Sequence, residues 1–201
     1  MRGVHTWKGV AVAIVLFAAF PSSASESVLG LELGAVGLHD VISKLGPAKL
    51  VRTGDASTSE TWLCYHSKAG EFLIFASNSE MAGPNLELTA IRLSKSPPSE
   101  SECAEYSAEK PLRLSNGLGL GSTEPEIEAA TAGKPSPKGG YIICSKHLFK
   151  KGTPEYDRWA SAKGCFLEGE EPYFSVCTGL FAKFEKGHAV WVQISRIESV
   201  C

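Results

Sequence analysis

Two short segments place a histidine close to a cysteine: Cys64-Tyr65-His66 and Cys144-Ser145-Lys146-His147. Thiolate sulfur and imidazole nitrogen are the ligands zinc takes. An oxidised cysteine offers no thiolate, so the zinc reading requires these cysteines to be free. His39 falls on the polar side of a helical stretch and His188 in a turn, and neither has a ligating neighbour in sequence. A second candidate is acidic. Glu168, Glu170 and Glu171 cluster in Gly164-Cys165-Phe166-Leu167-Glu168-Gly169-Glu170-Glu171-Pro172-Tyr173-Phe174. Paired carboxylates can do acid–base work, but three acids on a turn more often form a solvated tip. Nucleophile, metalloprotease and phosphate-loop motifs are absent. Gly117-Leu118-Gly119-Leu120-Gly121 lacks the spacing of a dinucleotide loop and reads as strand and turn. The sequence therefore predicts no catalytic residue, no cofactor and no metal.

The cysteines are better explained as bridges. Arg2, His5 and Lys8 make a basic start, Gly9 to Phe20 is apolar, and Ser22-Ser23-Ala24 supplies small residues for cleavage. This is the pattern of a secretory signal peptide over 1–24. All six cysteines, Cys64, Cys103, Cys144, Cys165, Cys177 and Cys201, follow it. An even number behind a leader predicts disulfides in an oxidising compartment. Removal of Arg2 and Lys8 from 20 basic side chains leaves 18 against 22 acids, a net of −4. That balance disfavours nucleic acid. No stretch in the remaining chain is long and apolar enough to span a bilayer.

The elements that position these residues are laid out twice. Gly30-Leu31-Glu32-Leu33-Gly34 opens one half and Gly117-Leu118-Gly119-Leu120-Gly121 the other. A helical stretch follows each, then a glycine at Gly46 or Gly133 and a proline at Pro47 or Pro135. In the first half, Leu38, Val41, Ile42 and Leu45 fall on one helix face. Val51 to Ser59 reads as a turn, and strands are expected at Thr61–His66, Glu71–Ala76 and Leu86–Leu93. In the second half, Thr123 and Glu126 have capping-box spacing. Strands are expected at Tyr141–Cys144, Tyr173–Phe184 and Val190–Ile197, with a short helix from Pro154 to Lys163.

The fold class is therefore expected to be α+β: two tandem β-α-β-β-β units, each an antiparallel sheet packed by one helix. The units span 28–103 and 112–201, joined by a linker at 104–111. The second carries an insertion, 145–171, with no counterpart in the first. The repeat pairs Cys64 with Cys103 and Cys144 with Cys201, leaving Cys165 and Cys177 to close a local hairpin.

Gly34…Leu38…Val41-Ile42…Leu45-Gly46-Pro47 resembles the helix, Leu-Gly-Pro, three-strand signature of the beta-lactamase-inhibitor-protein-like fold, which small outer-membrane-assembly lipoproteins share. Unit two departs from it at Ala132-Gly133-Lys134-Pro135 and by its insertion. The cleavage site lacks the lipoproteins' cysteine. The resemblance implies a protein-binding role and assigns no residue.

An insertion in one copy of a repeat is where function tends to be added. The candidate partner-binding residues are Tyr156 and Trp159, one helical turn apart, with Phe166, Glu168, Glu170, Glu171, Tyr173 and Phe174 in and beside the acidic loop. His147-Leu148-Phe149-Lys150-Lys151 beside them is basic and amphipathic. Trp62 and Trp191 read as core. The expected function is a secreted or periplasmic, non-enzymatic module binding another envelope or secreted protein, as an inhibitor or assembly factor. The alternatives are a small secreted hydrolase or ligand-binding domain using the acidic loop, and a structural envelope protein that associates through a flat sheet edge. The oligomeric state is not legible.

Overall fold

The computed structural model describes residues 27–55, 59–78, 85–98, 103–131, 140–161 and 171–199. It is mainly β, with few helices. In chain order the elements are β1 (Ser27–Val28), β2 (Leu31–Glu32), α1 (Leu38–Leu45), β3 (Val51–Thr53), β4 (Glu60–Ser67), β5 (Phe72–Asn78) and β6 (Ala90–Ser94). There follow β7 (Ala104–Tyr106), α2 (Glu124–Thr131), β8 (Gly140–Leu148), α3 (Pro154–Ala160), β9 (Tyr173–Glu185) and β10 (His188–Ser199). One sheet runs β3-β4-β5-β6-β10-β9-β8, and β7 adds in parallel to β4. β1 and β2 form a separate two-stranded ribbon.

Helix α1 forms where its apolar stripe requires it. Leu38 and Val41 are fully buried against Leu63, Tyr65, Leu73, Phe75, Ile91 and Leu93, which share one face of the sheet. The Asp40 carboxylate accepts from the Gly37 N–H (2.8 Å), satisfying an orphan donor at the helix start. Gly46, at φ +103°, ends the helix. Its carbonyl accepts the Tyr65 hydroxyl from the sheet (2.6 Å), and burial raises that phenol's pKa. α2 is capped by Glu126, which accepts from the Thr123 N–H (2.7 Å) and hydroxyl (3.0 Å). Those bonds lower its carboxyl pKa. α2 buries Ile127 into the same core.

The turns before the two helices are built alike. The Gly34 N–H donates to Leu88 and the Leu88 N–H to Val36 (2.9 and 2.8 Å). The Gly121 N–H donates to Ala189 and the Ala189 N–H to Ser122 (2.8 Å each). Both glycines have positive φ, +75° and +85°, a conformation other residues rarely take. This corrects the strand expected over Leu86–Leu93. Its first residues pair with the pre-helix turn, and β6 begins only at Ala90.

On the opposite face, Trp62, Cys64, Ile74, Ala76 and Ala90 form a second buried cluster. Arg92 there makes two bonds to the Glu60 carboxylate (2.8 and 2.5 Å) and one to Gln193 (2.7 Å), tying β4, β6 and β10 together. Cys64 pairs with Cys103 as expected. That bridge converts the start of the linker into β7. The buried Glu71 carboxylate accepts the Leu112 N–H (2.6 Å) and fixes the linker's far end. Val51–Thr53, expected as a turn, forms β3 against Thr61 and its neighbours.

The second bridge corrects the expectation. Cys144 is bonded to Cys177, not to Cys201, so Cys177 is not the partner of Cys165. The cause is strand length. β8 does not stop at Cys144 but continues to Leu148, antiparallel to β9, which sets Cys144 directly opposite Cys177. Cys165 and Cys201 lie outside the described residues.

Candidate functional site

The two halves of the sheet are covered unequally. β9 and β10 have 13 and 12 residues, about 40 Å each at strand rise. α2 has 8 residues, about 12 Å at helical rise. The strands therefore outrun the described helix. Near α2, Tyr141, Leu180 and Ile194 are buried. Beyond it, every residue from Ile142 to Leu148 is exposed. Ile142 is 48% exposed, Ile143 54%, Leu148 64% and Ile197 51%. Apolar residues standing this far out in one half of a sheet mark an interaction surface more often than a solvated one.

The flanking side chains order this extension. On one face, Lys146 sets its ammonium 3.6 Å above the Tyr173 ring, a cation–π arrangement. On the other, His147 stacks on Phe174 (5.2 Å between centroids), and Phe149 tilts against the same ring at 5.2 Å. The Phe149 N–H donates to Pro172 (3.0 Å), closing the extended ladder. Lys151 is ion-paired with Glu171, and the bond raises the lysine's pKa.

The structure thus joins Tyr173 and Phe174 to β8 rather than to a free loop. Glu171 is exposed and held by Lys151. Tyr156 sits half-buried in the first turn of α3, its N–H on the Thr153 hydroxyl (3.3 Å). Trp159 lies in the same helix, but its side chain is outside the described set. Phe166, Glu168 and Glu170 are also outside it. Sequence reasoning missed Ile142, Ile143 and Ile197. The signal that could have found the exposed face of the Ile142–Ile143 strand is electrostatic. Between Glu128 and Glu155 there is no acid, while Lys134, Lys138, Lys146, Lys150 and Lys151 accumulate.

Ser145 and His147 approach to 2.8 Å, Oγ to Nε2. They are neighbours on one face of the exposed strand, and the Ser145 hydroxyl also leans toward the Val176 carbonyl (3.4 Å). Among the described residues no group of three or more His, Cys, Asp and Glu could hold a metal ion. His66 stacks on Phe72 (4.6 Å).

One small polar cleft opens where β10 leaves β6. It holds about 50 Å³, lined by Gly34, Glu87, Leu88, Thr89, Arg196 and Glu198. Burial, then the Glu198 charge, raise the Glu87 carboxyl pKa, with Arg196 opposing. A space this size admits water rather than a substrate. Trp62 is buried as expected, and Trp191 is half-buried under the Lys183 ammonium. No helix among the described residues is long and apolar enough to cross a membrane. Compared with protein-family models, with curated proteins and with solved structures, the chain has no match.

Proposed function

We propose that this chain is a secreted or periplasmic, non-enzymatic protein-binding module, and that it engages its partner through the part of the second sheet half that outruns α2. The observation that carries the reading is the run of seven exposed residues on β8, Ile142–Leu148, with Ile142, Ile143 and Leu148 among them. Two disulfides support an oxidising compartment. The mildly acidic balance, 22 acids against 20 basic side chains, argues against nucleic acid.

The architecture is two copies of one helix-plus-three-strand unit, akin to the beta-lactamase-inhibitor-protein-like fold. Several features support this. The sheet order places β4-β5-β6 against β10-β9-β8, last strand to last strand. The Gly34 and Gly121 turns repeat their bonds, and Gly37↔Glu87 and Thr123↔His188 form equivalent bridges. On this reading, 28–103 and 112–201 are the units, and the partner is another envelope or secreted protein, inhibited or assembled by the contact.

The test is a cross-linked pull-down from the native envelope and secreted fraction with oxidised protein as bait. A partner captured by the wild type and lost with Ile143→Asp/Leu148→Asp supports the reading. Capture unaffected by those changes sinks the site, and no capture in any arm sinks the function. A parallel Trp159→Ala/Tyr173→Ala variant asks whether the insertion joins the contact.

A further inference from the structure

We propose that β8 receives, by strand addition along its outer edge, an extended segment of the partner protein in which acidic and apolar side chains alternate. This rests on the protein-binding reading above and adds the mode and chemistry of the contact.

β8 is the last strand of the sheet, and among the described residues it pairs only with β9. Its backbone parity follows from the cross-strand bridge. Cys144 and Cys177 have Cα atoms 4.0 Å apart, the short spacing of a pair that exchanges no ladder bonds. The N–H and C=O of Cys144 therefore point away from β9. The register runs unbroken from Gly140 to Leu148, so Ile142, Lys146 and Leu148 present theirs on the same outer side. Natural edges are blunted by brevity, proline, a bulge or charged side chains, lysine above all, and of these β8 carries only Lys146. β8 has nine residues, no proline and no bulge.

Charge names the occupant. The described stretch from Gly140 to Pro154 carries Lys146, Lys150, Lys151 and His147 and no acid, with Lys151 ion-paired to Glu171, in a chain that has 22 acids against 20 basic side chains overall. Opposite charges facing each other across a strand pair stabilise it, and like charges destabilise it. A second copy of β8 would bring this lysine-rich stretch against itself. An alternating acidic strand would set its carboxylates either on the Lys146 face, with Ile143 opposite its apolar residues, or on the His147 face, with Ile142 and Leu148 opposite them.

The probe is a labelled peptide of alternating valine and glutamate, with a valine–lysine peptide as control, added to the oxidised protein. Binding is read by fluorescence anisotropy and by amide hydrogen exchange. The glutamate peptide should bind, weaken as salt rises, and protect the amides of Ile142, Cys144, Lys146 and Leu148. The lysine peptide should not. Ile142→Pro removes one outward N–H without touching a β8–β9 bond, as edge strands tolerate. It should weaken the glutamate peptide about tenfold beyond Ile142→Ala, the order of one lost hydrogen bond with its acceptor stranded. Equal binding of both peptides, or binding without protection of those amides, overturns the proposal, and the exchange result stands even if the proline variant fails to fold. A native partner lost with Ile143→Asp/Leu148→Asp but indifferent to Ile142→Pro over Ile142→Ala would leave the protein-binding reading intact and remove strand addition. A sedimentation dimer broken by Ile142→Pro would make the occupant a second copy, and also overturn it.

Discussion

β4 and β8 are both strands of similar length stapled by a disulfide, yet they live in opposite surroundings. β4 is buried over most of its length, with Leu63 and Tyr65 under α1 and Trp62 and Cys64 in the cluster behind. β8 is buried only at Gly140 and Tyr141. The difference lies less in the strands than in what reaches them. β4 has a helix on one face, β3 and β7 along its edge, and a bridge that draws the linker in. β8 is bridged to its own neighbour, and that bridge brings no further chain across it. Burial is concentrated in the first half of the sheet, which leaves the far end of the second half to present surface.

The largest effect should separate the two halves outright. Phe75→Ala empties a fully buried site and should cost about 3–5 kcal/mol. Ile143→Ala should cost no more than about 0.5 kcal/mol. Denaturant midpoints measure both, and equal losses would erase the comparison. The bridges sharpen it. They close segments of nearly equal span, 39 and 33 residues, so chain closure alone assigns each about 4 kcal/mol. Replacing Cys64 and Cys103 by Ala should cost more than replacing Cys144 and Cys177, because only the first also disturbs a buried cluster and frees β7. Equal costs would mean that chain closure is the whole contribution.

How much of this was legible depended on whether a residue's fate is decided locally. The α1 stripe from Leu38 to Leu45, the Thr123–Glu126 cap and the β9–β10 hairpin were all readable, because turn and cap chemistry act within a few residues. Lys186 and Gly187, at φ +51° and +81°, make that hairpin's two-residue turn. Ile142 and Ile143 were readable as strand but not as exposed, because consecutive apolar residues do not say which face is covered and sequence periodicity cannot say how far a helix reaches. The Cys144 partner was lost the same way. Repeat symmetry pointed to Cys201, but pairing is set by strand register, and β8 runs four residues beyond Cys144. Of the residues expected to bind a partner, Tyr173 and Phe174 pair with β8, Glu171 is held by Lys151, and Tyr156 lies in α3.

The next effect is steric and sets the two pre-helix turns against each other. Gly37 and Thr123 make equivalent bridges, but only the second tolerates a side chain. A Cβ at Gly37 would run into the carbonyl oxygen of Asn85. Gly37→Ala should cost about 1–3 kcal/mol, the usual toll of overpacking, whereas Thr123→Gly should cost only a few tenths. Thermal unfolding of the two variants measures the asymmetry, and a neutral Gly37→Ala would show that the Asn85 segment gives way freely.

The smallest effect concerns the cleft beside β10. Glu87 has a raised carboxyl pKa in the folded chain, through burial first and the Glu198 charge second. In the window between its unfolded and folded values the native state holds the proton more tightly, so stability falls as pH rises through that window. Below the window the carboxyl is neutral in both states and the penalty vanishes. Glu87→Gln should therefore be the more stable protein at neutral pH, by under about 1 kcal/mol because the group is partly solvated. The advantage should disappear in acid. Unfolding midpoints followed across that range test it. A Glu87→Gln gain that persists unchanged into acid would assign the penalty to shape rather than charge. The cleft would then be a packing seam between the two halves and not an electrostatic one.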